Sequence, residues 1–199
     1  MTFPRESSSE RRMSASFRRQ LADYVEYHRD PSNCAMHVVG IIFLFLAAVL
    51  PLSLWPVTIF GVQSNVAAFM VVPVLIYWLV LDTALGLALV GAGILLLIAA
   101  AIISSHVSVT AVWIISIVLI VIGIGVQIIG HQIFEGRKPA LLDNPPHLLL
   151  GPMFVMAKLF IALGFRNDLA VVIQQGSQLA AGHPSIYPHQ RQSDVQQDP

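Results

Sequence analysis

The chain has 199 residues, 56% of them hydrophobic and 11% charged, with a formal net charge of +0, against the ~45–50% and ~25% of an ordinary soluble domain. Between Asp30 and Glu135 the only Asp, Glu, Lys or Arg is Asp82. This excludes a soluble globular domain and a disordered chain; the neutral balance argues against a nucleic-acid partner, and a lone cysteine, Cys34, excludes an internal disulfide framework.

In chain order, residues 1–20 are polar and carry Arg5, Arg11, Arg12, Arg18 and Arg19, which predicts a disordered N-terminal tail with no visible signal peptide. Phe17, Leu21, Tyr24 and Val25 then recur at helical spacing up to His28, predicting a short amphipathic helix on a membrane surface. Asp30-Pro31 ends it, because proline disfavours the α conformation in the residue before it. Asn33 is the expected N-cap of a first apolar span from about Ala35 to Trp55. Pro56 and Gln63-Ser64-Asn65 mark a turn, and further spans run from about Val66 to Leu81, Ala84 to Ile103 and Val109 to His131. Each approaches the ~17–25 residues that cross a bilayer core. The expected fold is all-α, a multi-pass membrane helical bundle of four transmembrane helices plus interfacial helices.

Gly86, Gly91, Gly93, Gly123, Gly125 and Gly130 suit close helix packing. Leu148 to Phe165, interrupted by Pro152 and Lys158, reads as an interfacial or re-entrant helix, with a fifth crossing as the alternative. A membrane-embedded domain over residues 21–165 then leaves 166–199, rich in Gln and Pro towards its end, as a mostly disordered tail.

The arginines before the first span, with Arg137 and Lys138 after the fourth, place both termini in the cytoplasm, since the loops at 56–65 and 104–108 carry no Lys or Arg. The host membrane is a bacterial inner membrane or the endoplasmic reticulum. With four crossings, His28, His37, Asp82, His131 and Glu135 share one membrane face and His106 lies at the other.

Ionisable residues at membrane depth require a reason. His131 and Glu135 are four apart, which on an α-helix stacks them as two metal ligands, or as one ligand and its orienting carboxylate; a helix simply reaching the interface is the alternative. His28 and His37 would point to opposite sides of one continuous helix. The Asp30-Pro31 break lets them face one spot. Three histidines and a carboxylate without thiolate suit iron(II), zinc or manganese. Asp82 reads as a helix cap or as a supporting acceptor near the site, His147 as a weak extra candidate, and Cys34, His106, His183 and His189 receive no role.

Two stretches carry a resemblance. Tyr27-His28-Arg29-Asp30-Pro31-Ser32-Asn33 followed by His37 and Gly40 resembles one motif, and Gln127-Ile128-Ile129-Gly130-His131-Gln132-Ile133-Phe134-Glu135 followed by Arg137, Pro139-Ala140-Leu141 and Asp143-Asn144 resembles a second. Both are similar to those of the small multi-pass membrane 2-hydroxy fatty acid dioxygenases, a family known from phytosphingosine degradation in yeast. The layout matches over about residues 20–165; Pro145-Pro146-His147 departs from the family pattern. The resemblance implies an iron(II)-dependent, oxygen-consuming α-oxidation that shortens a long-chain 2-hydroxy fatty acid by one carbon and releases carbon dioxide. It implies His28, His37, His131 and Glu135 as metal ligands, Glu135 also as a catalytic group, and Asn33 and Gln127 as supporting residues. Arg29, Arg137 or Lys138 would hold the substrate carboxylate. A small membrane transporter and a structural membrane protein with interfacial histidines are the competing classes.

Overall fold

The computed structural model describes residues 14–28, 30–135 and 147–182. Arg29, Arg137 and Lys138, the rest of the two tails, and the side chains of Glu135 and His147 lie outside the described part. The order is α1 (Ala15–Tyr27), α2 (Pro31–Leu52), β1 (Pro56–Ile59), β2 (Val62–Asn65), α3 (Val66–Leu81), α4 (Thr83–His106), α5 (Val109–Gly130) with a π-helical turn at His131–Glu135, α6 (His147–Ala162) and α7 (Asn167–Gly182). The chain is a nearly all-α helical membrane bundle.

Five of these helices start where a short polar side chain accepts one of the backbone amides that an α-helix leaves without an internal partner. Ser14 accepts from the Phe17 amide, Asn65 from Ala68, Asp82 from Leu85 and Ser108 from Ala111, at 2.9–3.2 Å. Asp30 Oδ1 accepts from the amides of Ser32, at 2.7 Å, and Asn33, at 3.3 Å. Asp30 is therefore the N-cap of α2, with Pro31 in the first turn. The expected cap, Asn33, lies inside the helix, because Asp30 stands at the residue where the backbone is still extended.

Helices α2, α4 and the run Val109–Phe134 are long and apolar enough to cross a membrane. Helix α3 keeps its expected bounds, but its 16 residues rise only about 24 Å, short of the ~30 Å hydrocarbon core. The four expected spans are thus three long helices and one short one, the second. The polar turn before α3 is a two-stranded antiparallel hairpin, Val57 opposite Ser64 and Thr58 opposite Gln63. Phe60 and Gly61 turn it with φ of 50° and 81°.

Leu148 to Phe165 does not continue as one straight helix into the residues that follow. Helix α6 stops at Ala162, Gly164 turns the chain at φ 78°, and α7 departs at 119°. Helix α7 carries regular structure past residue 165, and at the other end Phe17 is already fully buried. Helix α1 also differs from a free surface helix. Phe17, Leu21, Tyr24 and Val25 pack with Leu150, Met153, Phe154, Ala157 and Leu169, so α6 and α7 cover its apolar face. Burying each such side chain stabilises by ~1.5–3 kcal/mol relative to water.

Helices α2 and α5 run antiparallel at close range. A Cβ on Gly40 would meet Gln127 and the Gly123 carbonyl, and one on Gly130 would meet Asn33 Oδ1 at 2.5 Å. Gly86 and Gly93 are similarly close to α3, whereas Gly91 and Gly125 face open space. One core gathers Cys34, Trp78, Leu81 and Leu85 with α1, α6 and α7, and a second joins Val49, Leu50, Ala67, Ala100 and Val112 near the opposite end. The first core adjoins the histidines.

Candidate metal centre

His28 is the C-cap of α1, at φ −134° and ψ 64°, so the chain leaves its helix at this residue and restarts at Pro31. The break brings His28 against His37, in the second turn of α2, and His131, where α5 passes into the π-helical turn. All three are buried, at 2%, 6% and 2% exposure. Their ring centroids stand 4.4 Å (His28–His37), 4.9 Å (His28–His131) and 4.7 Å (His37–His131) apart, with interplanar angles of 66–84°. One ring nitrogen from each lies within 4.8 Å of the other two.

Local contacts orient two of these rings. His28 Nδ1 is 3.0 Å from the Tyr24 carbonyl oxygen and His37 Nδ1 is 3.0 Å from that of Asn33. In each the Nδ1–H donates to a carbonyl four residues back, which fixes the tautomer and makes Nε2 the basic nitrogen. Tyr24 stacks on His28 with centroids 4.0 Å apart and planes 3° from parallel, and Phe154 packs on both. Burial, with a smaller contribution from the nearby Cys34, pushes the Tyr24 hydroxyl well above the ordinary tyrosine range, so it stays protonated.

Metal–nitrogen bonds are ~2.0–2.1 Å for zinc and similar ions, so three imidazoles this close fit one ion after small side-chain adjustments. Their donor set suits zinc, copper, iron or nickel. Among the described residues this is the group of ligating side chains so arranged. Residues 131–135 wind as a π-helix rather than continuing α5 as an α-helix, and the Glu135 side chain lies outside the described part. π-Turns recur at functional sites.

The remaining expected residues divide. Asn33 is fully buried beside the cluster, holding His37 through its carbonyl and packing against Gly130. Gln127 lies over Gly40 between α2 and α5. Asp82 does not turn to the histidines: its carboxylate caps α4 and accepts from Arg166 Nη1 at 3.2 Å and Nη2 at 3.0 Å. Its capping role stands as expected, and Arg166 takes the capacity that a supporting role would have used. His106 is exposed at the far end of α4.

Sequence reasoning missed Tyr24, Phe154, Lys158 and Arg166. Tyr24 had a signal, since it precedes His28 by one helical turn. Lys158 did too, as a cation within an apolar segment. Arg166 had none, its partner Asp82 lying 84 positions away.

A family model described as 2-hydroxy-palmitic acid dioxygenase Mpo1-like matches residues 14–163. The 2-hydroxy-palmitic acid dioxygenase MPO1 of Saccharomyces cerevisiae is 31% identical over 158 residues, covering 79% of this chain and 87% of that relative. No solved structure matches the chain.

Proposed function

Because the chain belongs to the 2-hydroxy-palmitic acid dioxygenase Mpo1-like family, we propose that it is an iron(II)-dependent membrane dioxygenase that shortens long-chain 2-hydroxy fatty acids by one carbon. The observation that carries this reading is the cluster of His28, His37 and His131, three buried imidazoles within 4.8 Å at one end of an apolar bundle. Glu135, next to the cluster in sequence, is proposed as a further ligand and catalytic group.

In this reading, bound iron(II) supplies the redox chemistry that brings oxygen to the substrate. The reaction converts the 2-hydroxy acid and one oxygen molecule to the shortened acid, carbon dioxide and water. The C1–C2 bond breaks and C2 becomes the new carboxyl carbon. The chain's own residues orient and enclose. Tyr24 and Asn33 hold two imidazoles by their carbonyls, and the stacked Tyr24 ring fixes the plane of His28. Phe154 and its neighbours in α6 exclude water from that side. The acyl chain partitions into the bilayer at ~0.8 kcal/mol per methylene, which leaves the polar head at the interface. Arg29, Arg137 and Lys138 are proposed to meet its carboxylate there. Both termini are proposed to be cytoplasmic.

The test is turnover by purified protein with iron(II), oxygen and 2-hydroxy acids of several chain lengths, read by oxygen consumption and mass spectrometry of the lipid. The expected product is the acid one carbon shorter. A plain fatty acid should be a much poorer substrate, since it offers one oxygen-bearing group where the 2-hydroxy acid offers two. Metal-loaded protein that leaves every 2-hydroxy acid unchanged would overturn the proposal.

A further inference from the structure

Helix α6 contains a cation that the sequence pattern shows only as an interruption. Lys158 is half-buried, in a helix otherwise composed almost wholly of apolar residues. Its Nζ lies 2.9 Å from Cys34 Sγ and 4.9 Å from the centroid of the Phe154 ring, one helical turn earlier. Among the described residues it meets no carboxylate; the ion pairs there belong to Arg166 with Asp82 and Asp168. A thiol and a ring face are weak partners for an ammonium. A partly desolvated cation in an apolar segment is expensive unless an anion pairs with it.

Both partners of Lys158 also border the histidine cluster. The Phe154 ring stands 5.8 Å from the His28 ring and 4.9 Å from Tyr24. Cys34 lies next to Asn33 and one turn before His37, with its Sγ 3.6 Å from the His28 carbonyl oxygen. The ammonium is thus one side chain, Phe154, from the His28 ring, and one side chain, Cys34, from the His28 main-chain carbonyl, and it sits on a flexible four-carbon stem able to swing its charge.

We propose that Lys158 is a substrate-binding residue, pairing with the carboxylate of the long-chain acid at the histidine cluster. The inference rests on the dioxygenase reading for the identity of that acid. A charge-assisted bond from an ammonium to a carboxylate replaces the contact with the thiol. Cys34 then serves as the resting partner. An acid headgroup is thereby distinguished from an alcohol headgroup of the same length. A lipid phosphate presents the same anionic chemistry, and the experiment separates the two sources.

The experiment measures binding to the full-length protein in detergent by displacement of a fluorescent long-chain probe, using 2-hydroxypalmitate, hexadecane-1,2-diol and a lysophosphatidic acid. Wild type should prefer the hydroxy acid to the diol. Lys158→Gln should weaken the hydroxy acid about tenfold or more and leave the diol unchanged, with metal content equal to wild type; Lys158→Arg should recover most of the loss. Equal preference for the acid in wild type and Lys158→Gln would overturn the proposal, as would a Lys158-dependent affinity confined to the lysophosphatidic acid. Acid binding that depends on Lys158 without any turnover would instead remove the dioxygenase reading and leave the carboxylate site standing.

Discussion

Arg166, at the corner between α6 and α7, reaches Asp82, at the junction of α3 and α4, with two hydrogen bonds of 3.0 and 3.2 Å. Both side chains are buried, and Arg166 also holds Asp168 at 2.8 Å. The pair pins the bent C-terminal segment to the turn between two membrane helices. Removing one member leaves a buried charge without its partner, which costs about 3–5 kcal/mol. Arg166→Met should therefore lower the thermal midpoint in detergent strongly. Asp82→Asn, which keeps a capping oxygen, should lose less.

The histidines should be separable from the fold. Alanine at His28, His37 or His131 should each abolish stoichiometric metal retention, measured on purified protein, while membrane insertion persists. His106→Ala, at the exposed far end of α4, should retain full metal. Normal metal content after loss of His131 would remove the cluster from the mechanism.

Gly130→Ala probes the same site without touching a ligand. The new Cβ would stand 2.5 Å from the side-chain Oδ1 of Asn33, crowding the residue whose main-chain carbonyl holds His37. Displacing a group that orients a ligand typically lowers metal affinity by about 10–100-fold. Gly125→Ala, facing open space, should leave affinity within error. Equal affinities in the two variants would show that the Asn33 side chain yields without moving the carbonyl that holds His37.

Cysteine accessibility labelling should place positions near Arg12 and Lys138 on one side of the membrane and Ser105 on the other. Labelling of the first two from opposite sides would contradict the proposed cytoplasmic placement of both ends.

Much of this architecture is legible in the residues because local chemistry controls it. The bounds of α3 follow from Asn65 and Asp82, each a capping residue flanking an uninterrupted apolar run. The convergence of His28 and His37 follows from Asp30-Pro31, since a helix that must stop between them frees their relative direction. The same dipeptide misled on the cap: Asn33 is as good a capping residue as Asp30, and only the backbone conformation decides between them. The hairpin at 56–65 was read as a turn because its strands are only four residues long, too short for an alternation to register. The π-helical winding after Gly130 and the Arg166–Asp82 pair depend on tertiary packing, and no local pattern encodes them. The burial of α1 is intermediate. Its apolar face was visible, but whether lipid or protein covers that face depends on α6 and α7, which lie over a hundred positions later.

The cluster also has an order of assembly. Two imidazoles, His28 and His37, leave the ribosome early, but α1, which ends at His28, packs on α6 and α7, the last helices to be made. The third arrives at the end of α5, after the hairpin and two further helices have been made. Completion of the three-histidine cluster is consequently a late event in biogenesis, waiting both for α5 to dock on α2 and for the helices that hold α1, and chains truncated within α5 lack His131 altogether.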